Sequence, residues 1–152
     1  MVPKSHHARQ FQAVLISVNE FDPEMLNIRK LPRPKGNQGG KKATYTDMIA
    51  AFDIETTNDR ESRNAFMYIW QLQLEDLTVI GRDWDSYFDL LIKLRKKLDG
   101  LTLVVWVHNL SFEFQFFKGY YDFRPDEVFC TDQRKILKCT MFDCIEYRCS
   151  YR

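Results

Sequence analysis

Two carboxylates separated by one residue end an apolar segment of the chain, in the sequence FDIETT at residues 52–57. Successive side chains of a strand point to opposite faces, so Asp53 and Glu55 should project from the same face and reach one site. Carboxylate oxygens are hard ligands that favour Mg²⁺ or Mn²⁺. Two such ions, roughly 3.5 to 4 Å apart, hydrolyse phosphodiesters by activating a water and stabilising the leaving oxygen. The alternative is that these acids only end the strand.

A second polar segment follows another apolar run, in VWVHNLSFEF at residues 105–114. If Asn109 or Ser111 caps a helix here, the adjacent amides offer a site suited to a phosphate. Phe112, beside Glu113, has the chemistry to stack on an unpaired base, a contact worth roughly 1 to 3 kcal/mol. His108 is interpreted either as a structural histidine or as part of this site.

The predicted elements place both segments on one mixed sheet. Residues 48–52 indicate a buried strand, and residues 65–75 and 77–83 continue it as an antiparallel meander. Residues 85–100 have helical spacing, with Asp85 or Ser86 as the predicted N-cap and Gly100 at the C-terminal end. A strand at 101–107 and a helix ending near Gly119 follow, and three short strands come after Pro125. This order predicts an α/β fold of the ribonuclease-H-like kind, in which acids lie at strand ends.

Length and composition favour a single domain. With 152 residues, 45% of them hydrophobic, the chain can bury one core. No run approaches the roughly 18 apolar residues of a membrane span, and the first residues lack the apolar stretch of a secretory signal. We therefore expect a cytoplasmic protein with no membrane partner. Four cysteines match neither a zinc motif nor a disulfide framework, so we expect them to be reduced.

The net charge of +1 conceals an uneven distribution. Residues 1–50 carry eight Lys/Arg and four Asp/Glu, whereas residues 51–100 carry seven and ten. The basic part includes RKLPRPKGNQGGKK at residues 29–42, a composition typical of a solvated linker and, alternatively, of a phosphate contact. We predict an N-terminal extension at residues 1–43, containing this Pro/Gly-rich linker, and a domain at residues 44–152.

Taken together, FDIETT and HNLSFEF resemble the first and second exonuclease motifs of family B DNA polymerases, of the protein-primed type found in phages, linear plasmids and organellar elements. The resemblance runs from about residue 48 to the end of the chain. It implies a DEDD-type 3′→5′ proofreading exonuclease domain, incomplete at its C-terminus. The chain would then be the N-terminal part of a DNA-directed DNA polymerase acting in DNA replication, in the host cytoplasm if a phage encodes it.

The resemblance also implies roles for individual residues. Asp53, Glu55 and Glu113 would hold two Mg²⁺ or Mn²⁺ ions and act as the catalytic acids, with Asp53 bridging the ions. The implied contacts to single-stranded DNA are Thr56, His108, Asn109 and Phe112. The implied partners are the single-stranded 3′ end of DNA, the rest of the polymerase chain and a terminal priming protein.

The sequence departs from the family pattern at two points. Glu113 stands where the family has aspartate, which keeps the charge but moves it by one methylene. The third motif, Tyr-x-x-x-Asp, is absent, since no tyrosine here has an aspartate four residues later. Two alternatives therefore stay open: a free-standing DEDD-type nuclease completed by another acid such as Asp143, and a non-catalytic nucleic-acid-binding module of the same fold.

Overall fold

The computed structural model of the protein describes residues 14–32 and 43–151, and within them it shows a mixed α/β fold. Two α-helices and eight strands form the regular structure. The helices are α1 (Trp84–Leu98) and α2 (Leu110–Phe117). The strands are β1 (Val14–Ser17), β2 (Ala50–Asn58), β3 (Ala65–Leu74), β4 (Leu77–Gly81), β5 (Leu103–Val107), β6 (Val128–Cys130), β7 (Ile136–Met141) and β8 (Ile145–Cys149). Short 3-10 turns lie at Pro23–Met25 and Pro125–Glu127.

All eight strands belong to one sheet in the order β1-β4-β3-β2-β5-β8-β7-β6. The pairs β2–β3, β3–β4, β6–β7 and β7–β8 are antiparallel, and the pairs β1–β4, β2–β5 and β5–β8 are parallel. The predicted meander of β2, β3 and β4 is confirmed. Strand β2 lies near the middle of the sheet, between β3 and β5, and its first three residues, Ala50–Phe52, are paired on both sides.

Both α-helices pack on the face of the sheet that carries Phe52. The Phe52 ring stacks on Tyr87 of α1 at 4.6 Å between centroids and contacts Phe117 of α2 at 5.6 Å. Tyr87 and Tyr147 are fully buried, and their hydroxyl groups share a hydrogen bond of 2.6 Å. Burial of these aromatic rings is the main contribution to a core of this kind.

The ends of α1 differ in detail from the sequence prediction. Its N-cap is Asp83, whose carboxylate accepts a hydrogen bond from the Ser86 amide at 2.7 Å, so the predicted caps at Asp85 and Ser86 are wrong. An aspartate two residues earlier satisfies the same free amides, which is why sequence alone misplaced the start. The helix ends at Asp99 in the left-handed conformation, followed by Gly100 at φ 87°.

Part of the predicted N-terminal extension joins the same sheet. Strand β1 pairs in parallel with β4 at the sheet edge, and Phe21 and Leu26 are buried in the common core. Glu24 Oε2 and Lys97 Nζ of α1 form an ion pair at 3.0 Å. The boundary at residue 43 stays a prediction, and most of the basic linker, residues 33–42, lies outside the described residues.

Neither of the α-helices in the described ranges is long and apolar enough to cross a membrane. The four cysteines are free thiols, with Cys139 and Cys144 buried and Cys130 exposed. Burial raises the pKa of Cys139 to about 12, so this thiol stays protonated and unreactive at neutral pH.

Candidate metal and nucleic-acid site

Strand β2 presents its two acids on one exposed face. Phe52 and Ile54 are buried in the core, whereas Asp53 and Glu55 between and beyond them are exposed, as the two-residue period of a strand requires. The helices lie on the opposite face. Both carboxylates therefore belong to the side of the sheet that no described helix covers.

Asp53 and Glu55 lie within β2 and do not end it, and the second polar segment lies beside Asp53 because β5, the parallel neighbour of β2, ends there. Phe52 pairs with Val107, the last residue of β5, so the chain leaves the sheet through His108 and Asn109 at the level of Asp53. Asn109 adopts the left-handed conformation, at φ 59° and ψ 58°, and turns the chain sharply into α2. The two segments that the sequence singled out are thus neighbours at one end of the sheet.

Glu113, one turn into α2, is an acid held inside the protein. Its side chain is only 3% exposed, and its Oε2 atom has no hydrogen-bond partner among the described residues. Burial raises the pKa of Glu113 to about 7, the residue's own backbone amide opposes this, and repulsion from the Asp53 carboxylate adds to it. The two acids are therefore close enough to interact electrostatically, and a cation between them would relieve both effects.

The donor chemistry at this end of the sheet fits a divalent ion. Asp53, Glu55 and Glu113 supply only carboxylate oxygens, the ligands that Mg²⁺ and Mn²⁺ prefer. Glu113 Oε2 and Thr46 Oγ1 are buried oxygens without a hydrogen-bond partner in the described chain, and a cation at Glu113 would satisfy the first, since buried polar atoms are normally paired. Over residues 14–32 and 43–151, however, no three His, Cys, Asp or Glu side chains are already gathered closely enough to hold a metal. Asp53 and Glu55 lie on the helix-free face whereas Glu113 belongs to α2 on the other face, so ion binding would have to draw these side chains together past the end of β5.

The residues predicted to bind single-stranded DNA surround the same end of the sheet. Thr56 is half-buried, directly after a register shift between β2 and β3. His108 is exposed and meets the Tyr151 ring edge to face at 5.2 Å. Phe112 is 41% exposed and contacts Phe116 at 5.4 Å. No contact among the described residues joins these side chains to the acids, so their membership of one site and their roles stay predictions.

The predicted side-chain cap of α2 is wrong. Asn109 is the N-cap residue and has a left-handed backbone, but its side chain makes no capping hydrogen bond. The Ser111 hydroxyl instead accepts a hydrogen bond from the Ile136 amide at 2.9 Å, which ties α2 to β7. The amides that begin α2 are therefore not occupied by either predicted side chain.

Asp143, the acid considered as a replacement for the missing third motif, lies at the opposite end of the sheet. It sits in the turn before β8, and Ile145 pairs with Leu103 at the start of β5, whereas the site lies beyond Val107 at its end. Its carboxylate pairs with Arg124 at 2.8 Å. Asp143 therefore cannot complete this site.

The polar side chains beside Asp53 on the helix-free face were not predicted from the sequence. A shallow groove of about 160 Å³ is lined by Ala51, Asp53, Gln71, Gln73 and Thr78 on the helix-free face. Gln71 pairs with Asp53 across β2 and β3. The alternation of these glutamines with Leu72 and Leu74 along β3 could have predicted this surface, because the pattern is typical of a strand with one solvent-exposed face.

Comparison with known proteins gave no match to a protein-family model, to a curated protein or to a solved structure.

Proposed function

We propose that the chain carries a 3′→5′ exonuclease domain of the ribonuclease-H-like, DEDD type, and that it is part of a protein-primed family B DNA polymerase. The observation that carries the proposal is Glu113, a buried acid with an unpartnered oxygen whose pKa the Asp53 carboxylate helps to raise. The order β4-β3-β2-β5-β8, an antiparallel meander continued by two parallel strands, is compatible with that fold.

In this proposal the protein supplies ligands, orientation and a binding surface. Asp53, Glu55 and Glu113 hold two Mg²⁺ or Mn²⁺ ions, which, when bound, supply charge stabilisation and water activation for phosphodiester hydrolysis. Asn109 and Phe112 hold the frayed end of a single strand at the start of α2, and Thr56 contacts its last nucleotide. The start of α2 favours an anion, because a helix N-terminus carries a partial positive charge.

Metal binding tests the proposal without relying on activity. We expect calorimetric titration with Mn²⁺ to show binding that Asp53→Asn or Glu113→Gln weakens at least about tenfold, since each removes a charged ligand. Asp76→Asn is the matched control, because Asp76 is an exposed acid in the β3–β4 turn, at the other end of the sheet. Binding that is equally strong in all variants would refute the metal site.

Excision gives the second test. In an intact polymerase we expect Asp53→Ala to abolish removal of 3′-terminal nucleotides and to spare polymerisation, because the acid serves only the hydrolytic site. If the Asp53→Ala variant still removed 3′-terminal nucleotides, Asp53 would not be a catalytic residue.

A non-catalytic nucleic-acid-binding module is the second candidate. It is favoured by the finding that the described acids are not gathered into a metal-ready cluster. Such a module would bind single strands in a strongly salt-dependent way that divalent ions leave unchanged. Binding that requires Mn²⁺ and Asp53 would favour the exonuclease instead.

A further inference from the structure

Beyond the central part of the sheet, β2 and β3 continue together as a two-stranded arm. Strand β5 pairs with β2 only as far as Phe52, and β4 pairs with β3 only from Trp70 onward. Residues 55–58 and 65–69 are therefore paired only with each other in the described chain, and residues 59–64 form the tip. At about 3.3 Å per residue, the arm extends roughly 13 Å past the sheet.

The arm carries an exposed aromatic ring on the face of the acids. A bulge at Tyr68, which has no partner in β2, lies near the base of the arm, and Thr57 pairs with Phe66 beyond it. Alternate residues share a face and paired residues lie side by side, so Phe66 follows Asp53 and Glu55 on the same face. Phe66 is 52% exposed and Tyr68 is 46% exposed.

The tip adds two cations that the fold does not use. Arg60 and Arg63 are exposed, and neither forms an ion pair with any residue in the ranges 14–32 and 43–151. Asp59, by contrast, accepts hydrogen bonds from the Ser62 hydroxyl at 2.6 Å and from the Glu61 and Ser62 amides. These bonds, the one from the Ser62 hydroxyl foremost, lower the pKa of Asp59 and hold the turn. Both guanidinium groups stay available to an anion.

We propose that the arm, residues 55–69, grips a single nucleic-acid strand on its way to the acids. Phe66 stacks on a base, and Arg60 and Arg63 neutralise phosphates farther along the strand. Aromatic faces alternating with unpaired cations are the chemistry that single strands require. An apolar protein partner fits less well, because it would bury the charged groups of the tip, Arg60 and Arg63 among them. The inference rests on the proposed function for the direction of the strand, but the grip is measurable without metal.

Fluorescence anisotropy of a fluorescein-labelled oligothymidylate, measured in EDTA, tests the stacking contact. We expect Phe66→Ala to weaken binding by about tenfold or more, the size expected for one lost base stack. Phe66→Tyr, which keeps the aromatic face, should bind like the wild type. Phe129→Ala is the matched control, since Phe129 is 59% exposed on β6, four strands away from β2. Equal affinities for Phe66→Ala and Phe129→Ala would overturn the proposal.

Salt dependence tests the two arginines. Each phosphate contact on a single strand contributes about 0.7 to the slope of log affinity against log salt. The double variant Arg60→Gln, Arg63→Gln should therefore lower the slope by about 1.4, whereas Lys93→Gln, an exposed change on α1, should leave it unchanged. An unchanged slope in the double variant would refute the phosphate contacts.

The two proposals fail separately. If Mn²⁺ binding depends on Asp53 while Phe66→Ala binds the oligonucleotide normally, the metal site stands and the arm proposal is wrong. If Phe66→Ala weakens oligonucleotide binding while Asp53→Asn leaves Mn²⁺ binding unchanged, the arm proposal stands and the metal site is wrong.

Discussion

Replacing Glu113 by glutamine measures how much free energy the buried acid costs the fold. Its pKa is raised from an ordinary 4.5 to about 7, with burial as the largest cause. Between these values the folded protein keeps a proton that the unfolded chain releases, so the free energy of unfolding falls as pH rises from about 4.5 to 7. At 1.36 kcal/mol per pH unit, the full loss is up to about 3 kcal/mol. Glutamine stays neutral and should abolish this loss.

Urea unfolding followed by tryptophan fluorescence, in EDTA at several pH values from 4.5 to 8, measures the free energy of unfolding of both proteins. We expect the wild type to lose about 2 to 3 kcal/mol relative to Glu113→Gln across that range, because the other titrating groups are common to both proteins. Glu61→Gln, an exposed change in the hairpin tip, should show no such difference. At pH 8, added Mn²⁺ should stabilise the wild type more than Glu113→Gln, since ligands stabilise the state that binds them.

A constant difference between the wild type and Glu113→Gln over this pH range would refute the reasoning. It would mean that the carboxylate is solvated in the folded protein and that its unpartnered oxygen is satisfied by water.

Two further predictions concern the core behind the site. Tyr87→Phe and Tyr147→Phe each leave the other buried hydroxyl unpaired, so we expect each to cost about 1 to 2 kcal/mol and the double variant to cost clearly less than the sum. Strictly additive losses in urea unfolding would contradict this. Gly81→Ala would drive a methyl group into the buried Trp70 ring, so we expect a loss of about 1 to 3 kcal/mol. Gly119→Ala, where the nearest atom is 3.3 Å away, is the control. Equal stability of the two variants would show that the Trp70 ring can move to make room for the methyl group.

Much of the local structure could be predicted from residue patterns. The helical spacing of Tyr87, Leu91, Leu94 and Leu98 matches the buried face of α1, and the meander follows from short turns between alternating strands. The shared face of Asp53 and Glu55 follows from the two-residue period alone. These features depend on residues close together in the sequence, so the local pattern is sufficient to predict them.

Features that depend on distant parts of the chain were not predictable in this way. The partner of β1 is β4, some sixty residues later, and no local pattern in residues 14–17 identifies it. Asn109 caps α2 through a left-handed backbone, because the chain must turn where β5 ends. The burial of Glu113 depends on how α2 packs, whereas a glutamate in sequence is expected at the surface.

The parallel strand pairs of the sheet also determine the order in which parts of the chain can fold during synthesis. Strand β5 is apolar along most of its length, and one of its two neighbours, β8, lies about forty residues further along the chain. A chain emerging from the ribosome exposes β5 as an open apolar edge until β8 is made, and such edges invite aggregation. Pairings between distant segments also form slowly. Folding of the site's scaffold therefore waits for Ile145–Cys149, and truncation before these residues should yield insoluble protein.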